Sequence, residues 1–210
     1  FLFLSLVPLF LVCVLPGLFV LQNKPGQFLA NYGFVASGAL FFVYSFSFAA
    51  GLLHFSKMCL VLCFLLTELR DLISYWVGKI SAKLEKGNPQ NNFWKGLNYK
   101  IAPQVSPHKS WGVGLISTVI LIILAISCRP LLQSESQVQI SQWFMIFWAI
   151  LIGLFGLLGD LVFSLMKREF GLKDSGTFLP GQTGMIDRID SLVLTIPVTY
   201  FYFQWMFGGF

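Results

Sequence analysis

The sequence predicts an all-α protein, a polytopic membrane helix bundle of about six to seven transmembrane helices. The chain is 56% hydrophobic and only 11% charged, against roughly 25% charged in an average soluble domain. Its mean hydropathy is +0.76, and its charges are spaced so that long apolar stretches contain none. These observations exclude a soluble globular domain, a disordered chain and a disulfide-stapled secreted domain. An outer-membrane barrel is excluded because the apolar runs are continuous and do not alternate.

Five stretches contain no Asp, Glu, Lys or Arg, and each is long enough to cross a bilayer. A helix needs roughly 20 apolar residues to span about 30 Å of hydrocarbon. The five stretches are 1–23, 25–53, 110–128, 136–159 and 191–210. The first starts at Phe1 without a basic leader or a small-residue cleavage site. We therefore interpret it as a true span rather than a signal peptide, and we expect the natural N-terminus to lie upstream.

A sixth apolar segment, 58–78, differs from the other five because charges lie inside it. It begins MCLVLCFLL and then carries Glu68, Arg70 and Asp71 before LISYWVG. Charge within a membrane helix is costly and is usually functional. The alternative is that the span ends near Leu66 and that the charges lie among the lipid headgroups.

Basic residues predict the orientation, because Lys and Arg in short loops stay on the cytoplasmic side. Loop 79–109 carries six Lys and one Glu, so we place it in the cytoplasm. Loop 129–137 carries only Arg129 and Glu135 and is one crossing away, whereas 167–190 is highly charged and lies one crossing further. Both charged segments then face the same compartment, which predicts a single site at the cytoplasmic membrane boundary.

The stretch 159–191 contains four Asp and four basic residues between two apolar spans. Asp160, Ser164 and Lys167 are spaced i, i+4 and i+7, which places them on one helix face. Asp187 and Asp190 are spaced i, i+3. Carboxylates from two helices attract Mg²⁺, with substrate phosphates completing its shell, and basic side chains neutralise charge on phosphate oxygens. The pattern is typical of a phosphoryl- or nucleotidyl-transfer site. Its basic residues are Lys167, Arg168, Lys173 and Arg188.

An alternative interpretation of this stretch is a cytoplasmic connector whose acids and bases pair as solvated salt bridges. The segment from Asp174 through Gly184 favours the first interpretation, because it is rich in glycine. Glycine lets the backbone approach a ligand closely, and a plain connector needs fewer such residues.

The run SLMKREFGLKDSGTFLPGQTGMIDRID, residues 164–190, resembles the signature of the phosphatidate cytidylyltransferase family, the CDP-diacylglycerol synthases. Two further stretches support the resemblance. Arg70-Asp71 through Tyr75 and Gly78 is similar to the Asp-containing helix of the family. Residues 106–111, SPHKSW, resemble its Ser-Pro-x-Lys-Thr-Trp segment. Together the matches extend over about residues 68–205.

The resemblance implies one integral-membrane domain, 1–210, with N-terminal spans over 1–57 and a catalytic part over 58–210. It implies that the phosphate of phosphatidic acid, or of a related lipid phosphate, attacks the α-phosphorus of CTP and releases pyrophosphate. Mg²⁺ is the expected cofactor, with Asp160 and Asp187 as its ligands. The expected catalytic residues are Asp160, Asp187, Lys167, Arg168 and Arg188. The expected substrate-binding residues are Asp71, Tyr75, Ser106, Lys109, Ser164, Lys173, Asp174, Gln182 and Asp190.

The expected partners are CTP, the lipid phosphate and membrane lipids, without nucleic acid. The expected location is the bacterial inner (plasma) membrane with the site facing the cytoplasm, and the apolar exterior is compatible with a homodimer. In two places the chain departs from the family pattern. Residues 180–184 read PGQTG where the family has Pro-Gly-His-Gly-Gly, and Gly112 stands where it has Glu. We therefore expect an active but divergent paralogue.

Three alternatives stay open at this point. One is a non-catalytic descendant that binds lipid or a partner. The second is a transporter, since Glu68, Arg70, Asp71 and Asp160 could line an ion path, although the sequence has no inverted repeat. The third is a cytidylyltransferase that acts on another lipid phosphate.

Overall fold

The computed structural model describes residues 2–21, 28–87, 91–136, 138–169, 171 and 189–207, which are mostly helical. The helices are α1 Leu2–Leu9, α2 Leu15–Leu21, α3 Phe28–Gly38, α4 Ser45–Phe55, α5 Lys57–Gly87, α6 Asn92–Leu97, α7 Trp111–Ser136, α8 Gln142–Glu169 and α9 Asp190–Phe207. The π-helical segments Phe10–Val14 and Ala39–Tyr44 join α1 to α2 and α3 to α4. The chain is therefore helical from Leu2 to Leu21 and from Phe28 to Phe55.

Three helical segments of the described chain are long and apolar enough to cross a membrane. They are Asn31–Phe55, Trp111–Glu135 and Gln142–Glu169. On α7, Leu115, Val119 and Ile123 are spaced four residues apart and are all exposed. Such an apolar stripe suits a helix that faces lipid. The helical membrane fold is thus supported, while the number of six to seven spans stays a prediction.

Helix α5 is continuous through its charged segment. It begins after Ser56, whose hydroxyl accepts a hydrogen bond from the amide of Met58 at 3.1 Å, and it runs for 31 residues. The helix therefore does not end near Leu66. Arg70 is completely buried and forms an ion pair with Asp71. Its Nε and Nη2 atoms have no hydrogen-bond partner among the residues that the structure describes.

A small sheet lies in the segment that the sequence analysis treated as a basic loop. Strand β1, Lys100–Ala102, pairs antiparallel with β2, Ser106–Ser110, so that Lys100 lies opposite Ser110. The all-α prediction missed this sheet. The hairpin is held against α8, because the Nε of Arg168 donates a hydrogen bond to the carbonyl of Val105 at 3.3 Å.

Glycines bring α8 close to its neighbours. A β-carbon at Gly153 would lie 2.4 Å from the hydroxyl oxygen of Thr118 on α7, and one at Gly159 would lie 2.7 Å from the carbonyl oxygen of Asp190 on α9. Such distances leave no room for a side chain. The absence of a side chain at Gly159 therefore sets how closely the N-terminus of α9 approaches the charged part of α8.

Candidate active site

Four charged side chains from three helices and one strand converge where α5, α8, α9 and β2 meet. Lys109 on β2 forms an ion pair with Asp160 on α8, and both side chains are largely buried. Asp190 is the first residue of α9 and is 6% exposed, and Gly159 places its backbone beside α8. Asp71 on α5 interacts electrostatically with Asp190. The site therefore contains three carboxylates and one ammonium group.

The carboxylates influence one another. Asp190 lies just before the charge-free stretch 191–210. Its pKa is raised to about 7, mainly by burial and secondly by the negative charge of Asp160. Asp71 acts in the same direction, whereas the amide of Ser191, which donates to Asp190 Oδ1 at 2.7 Å, and Lys109 act against it. Two cationic groups offset part of the negative charge of the three carboxylates: Lys109 pairs with Asp160, and the buried Arg70 pairs with Asp71.

A cavity of about 570 Å³ opens beside this cluster, a volume within the usual range for small-ligand sites. Asp71, Tyr75 and Lys109, three of the expected substrate-binding residues, line it. Three further basic side chains also line it: Lys79, Lys100 and His108. Three Lys ammonium groups provide positive charge for a polyphosphate, and the His108 imidazole adds a hydrogen-bonding group.

Sequence reasoning missed part of this cavity. In the sequence, Lys100 is only one of the six Lys that place loop 79–109 in the cytoplasm, but in the structure it lines the cavity. Its position follows from the pairing of β1 with β2, which places it opposite Ser110, next to Lys109. Glu85 and Asn98 line the same cavity. One feature of the sequence could have located Lys100: it lies six residues before Ser106, where the Ser-Pro motif begins.

The expected site residues differ in their surroundings. Tyr75 is exposed and forms an edge-to-face contact with Trp76 at 5.8 Å between ring centroids. The ammonium of Lys167 lies 4.8 Å from the ring centroid of Phe163, and Arg168 contacts the hairpin backbone as described above. Ser106 begins β2, and Ser164 lies on α8 one turn after Asp160. Lys173, Asp174, Gln182, Asp187 and Arg188 lie outside the described residues.

Gly112 has a structural explanation. A β-carbon at this position would lie 2.6 Å from the carbonyl oxygen and 2.7 Å from the α-carbon of Leu97 at the end of α6. The Glu that the family pattern has here would not fit in this chain, because the backbone of Leu97 occupies the space.

The donor chemistry of the site is compatible with Mg²⁺. Within the described part of the chain, no group of three or more His, Cys, Asp or Glu is close enough to hold a metal ion. The expected second ligand, Asp187, lies outside that part. What the structure does contain is a set of carboxylate oxygens, the ligand type that Mg²⁺ prefers. Asp160 and Asp71 repel the negative charge of Asp190, and a bound cation would reduce this repulsion.

The fold and the site together define a helical membrane protein with a charged, phosphate-compatible cavity at the junction of its helices. Residues 1–206 match the Cytidylyltransferase family, and the chain belongs to that family.

Several proteins are similar to this chain. The uncharacterized protein YnbB of Escherichia coli is 36% identical over 210 residues, which cover 96% of this chain and 63% of that protein. The phosphatidate cytidylyltransferase of Rickettsia bellii is 36% identical over 105 residues, 49% of this chain and 45% of the relative. That of Bacillus subtilis is 36% identical over 102 residues, 49% of this chain and 36% of the relative. The chain thus spans less than two thirds of the length of these relatives.

Proposed function

We propose that the protein transfers the cytidylyl group of CTP to phosphatidic acid, giving CDP-diacylglycerol and pyrophosphate in phospholipid biosynthesis. The observation that carries the proposal is the cavity in which Lys79, Lys100, His108 and Lys109 lie beside the carboxylates of Asp71, Asp160 and Asp190. Membership of the Cytidylyltransferase family and the similarity to two phosphatidate cytidylyltransferases support the same reaction.

In the proposed reaction an oxygen of the lipid phosphate forms a bond to the α-phosphorus of CTP, and the bond from that phosphorus to the bridging oxygen of pyrophosphate breaks. The protein does little covalent chemistry in such a transfer, and catalysis rests on positioning and charge. Lys79 and Lys100 neutralise the charge that builds on the departing pyrophosphate, and His108 donates a hydrogen bond to it. Lys109 holds the Asp160 carboxylate in place and adds positive charge beside the reacting phosphorus.

Asp160 and Asp187 would hold Mg²⁺, which supplies charge neutralisation on the phosphate oxygens. The lipid tails would remain in the bilayer while the phosphate meets the nucleotide at the cytoplasmic boundary. A related lipid phosphate is the second candidate acceptor, because the relative that matches almost the whole chain, YnbB, is uncharacterized and does not specify the lipid.

The test is Mg²⁺-dependent release of pyrophosphate from CTP by the full-length, detergent-purified protein, with and without phosphatidic acid. We expect release only when the lipid is present. Release with another lipid phosphate but not with phosphatidic acid would change the acceptor and keep the chemistry. No release with any lipid phosphate, from folded protein, would contradict the proposal.

The variant Asp187→Asn tests the metal site in the same assay. A neutral amide is a far weaker Mg²⁺ ligand than a carboxylate, so we expect turnover to be abolished while the protein stays folded. Full activity of this variant would remove Asp187 from the site. Gln182→His tests the divergent loop: a preserved or increased rate is expected if Gln182 only tunes the site.

A further inference from the structure

A hydrogen-bonded group lies where α5 meets the segment between α6 and β1. Asn98 Nδ2 donates to Glu85 Oε2 at 2.7 Å, and Ser81 donates to Asn98 Oδ1 at 2.9 Å. Glu85 and Asn98 line the cavity described above, while Ser81 is buried behind them. This group is not needed for the phosphate chemistry.

The network fixes the orientation of the Asn98 amide. An ionised carboxylate can only accept hydrogen bonds, so the amide nitrogen must face Glu85 and the amide oxygen must face Ser81. If the amide were rotated, the Asn98 oxygen would face the Glu85 carboxylate, and two hydrogen-bond acceptors would lie against each other. The side chain therefore presents a defined donor to the cavity.

Two hydrogen-bonding groups remain after these contacts. Glu85 Oε1 accepts no bond from the residues that the structure describes, and one proton of the Asn98 amide is not used by them. One acceptor and one donor thus remain on two neighbouring side chains that line the cavity. The two atoms belong to residues that already hydrogen-bond each other, so their spacing is fixed.

This pair is complementary to one edge of cytosine. Cytosine carries an exocyclic amino donor next to the N3 acceptor, and a carboxylate accepting from that amino group is an established mode of recognition. Uracil presents the reverse order, an acceptor next to a donor. The Glu85–Asn98 pair would therefore meet uracil with acceptor against acceptor and donor against donor.

The cavity connects the pair to the carboxylate cluster, because Asp71 and Glu85 both lie on α5 and both line it. They are 14 residues apart, so the helix rises about 21 Å between them, at about 1.5 Å per residue. The pair therefore lies at the end of the cavity that is remote from the carboxylates.

We propose that Glu85 and Asn98 recognise the base of the nucleotide and select cytosine over uracil. This inference rests on the proposed function, since it assigns the base end of the same nucleotide site. Glu85 and Asn98 are then specificity-determining residues that take no part in the transfer itself.

The test compares CTP with UTP in the wild-type protein and in Glu85→Gln. The Gln side chain has the same shape and can still accept from Asn98, but its amide nitrogen donates where the carboxylate accepted. We expect kcat/KM for CTP to fall about 10- to 100-fold, because one well-placed base contact discriminates between bases by about this factor. The value for UTP should stay or rise, so that the CTP/UTP ratio is compressed.

Lys86→Gln is the matched control. It neutralises an exposed charge on the adjacent residue of α5 and should keep the wild-type ratio. Ser81→Ala is a second variant, because it loses the bond that orients Asn98 and should compress the ratio less strongly. If Glu85 and Ser81 only tie α5 to the hairpin, both variants lower thermal stability and leave the ratio unchanged, which would overturn the inference.

Equilibrium binding of CTP and UTP without lipid separates this inference from the proposed function. Preferential binding of CTP that Glu85→Gln abolishes would support base recognition even if no pyrophosphate were released. Lipid-dependent turnover of CTP with an unchanged ratio in Glu85→Gln would leave the proposed function standing and reject the role of Glu85. Equal wild-type affinity for CTP and UTP would also reject that role.

Discussion

The two halves of the α8–α9 helix pair pack in opposite ways. In the half near the carboxylates, α8 has glycines where it meets its neighbours: a β-carbon at Gly159 would lie 2.7 Å from the carbonyl oxygen of Asp190 on α9, and one at Gly153 would lie 2.4 Å from the hydroxyl oxygen of Thr118 on α7. In the other half, large rings fill the space between the helices: Phe144 lies 4.7 Å from Tyr202 and 4.9 Å from Phe203, centroid to centroid.

The aromatic half of the helix pair contributes to stability, whereas the half near the carboxylates contains the site. Aromatic packing holds the two helices at one end, where Trp148 also donates a hydrogen bond to the hydroxyl of Thr199 at 3.0 Å. The absence of side chains at the other end lets polar groups from α5, α8 and α9 approach one another. Substitutions in the aromatic half should therefore change folding, and substitutions in the glycine half should change the site.

The largest effect is expected for Asp160→Asn. It removes a carboxylate from the reacting centre, and we expect turnover to fall about 100- to 1,000-fold, as when one charge-stabilising group is removed. The thermal unfolding midpoint should stay close to that of the wild type, because Lys109 remains partly exposed to solvent. Glu135→Gln, an exposed carboxylate at the far end of α7, is the control and should retain activity. Near-normal turnover of Asp160→Asn would remove this residue from the site.

Phe203→Ala should produce the largest loss of stability. Phe203 is 3% exposed and packs against Phe144 and Trp148, so its truncation leaves a cavity that costs about 3 kcal/mol. Thermal unfolding in detergent measures the loss. Trp205→Ala on the same helix removes a ring that is 79% exposed and should cost little. Activity per folded molecule should be unchanged in both variants; a specific loss of activity in Phe203→Ala would contradict the separation of the two halves.

Much of the fold was predictable from the sequence, because the charge-free stretches follow the helices closely. The stretch 136–159 lies largely within α8, and 191–210 begins where α9 begins. The charged segment of α5 was also interpreted as one helix. A helix in a membrane must satisfy its own backbone, so an apolar run of this length has few alternatives.

The site was predictable only in part. Asp71, Lys109 and Asp160 belong to motifs, and the structure brings them to one place. Lys100, Glu85 and Asn98 do not belong to motifs, and their positions depend on the β1–β2 pairing and on a hydrogen bond between α5 and Asn98. Such contacts between segments are set by tertiary structure, which periodicity does not reveal.

Gly159→Ala tests the glycine half directly. The added methyl group would lie 2.7 Å from the Asp190 carbonyl oxygen, so α9 must shift, at a cost of about 1–3 kcal/mol. Because the shift moves Asp190, turnover should also fall, by up to about 100-fold for a displacement near 1 Å. Gly156→Ala is the matched control one turn earlier, where the nearest atom, in Thr195, would be 3.5 Å away. Equal stability and turnover in the two variants would show that close approach at Gly159 is not required.

The smallest expected effect is on the pH dependence of stability, through Asp190. Its pKa is raised from 3.8 to about 7, chiefly by burial and by Asp160, with Asp71 adding to the rise and Lys109 opposing it. The folded protein therefore holds this proton more tightly than the unfolded chain does. Stability from this group is present below about pH 4 and is lost as the pH rises towards about 7.

The variant Asp190→Asn tests this effect, because its side chain cannot ionise while its amide oxygen can still accept a hydrogen bond from the amide of Ser191. With EDTA present, the unfolding midpoint of the wild type should fall relative to that of the variant between about pH 5 and pH 8. Parallel curves over this range would mean that Asp190 ionises as freely in the folded protein as in the unfolded chain, and that the carboxylates of the glycine half do not act on one another.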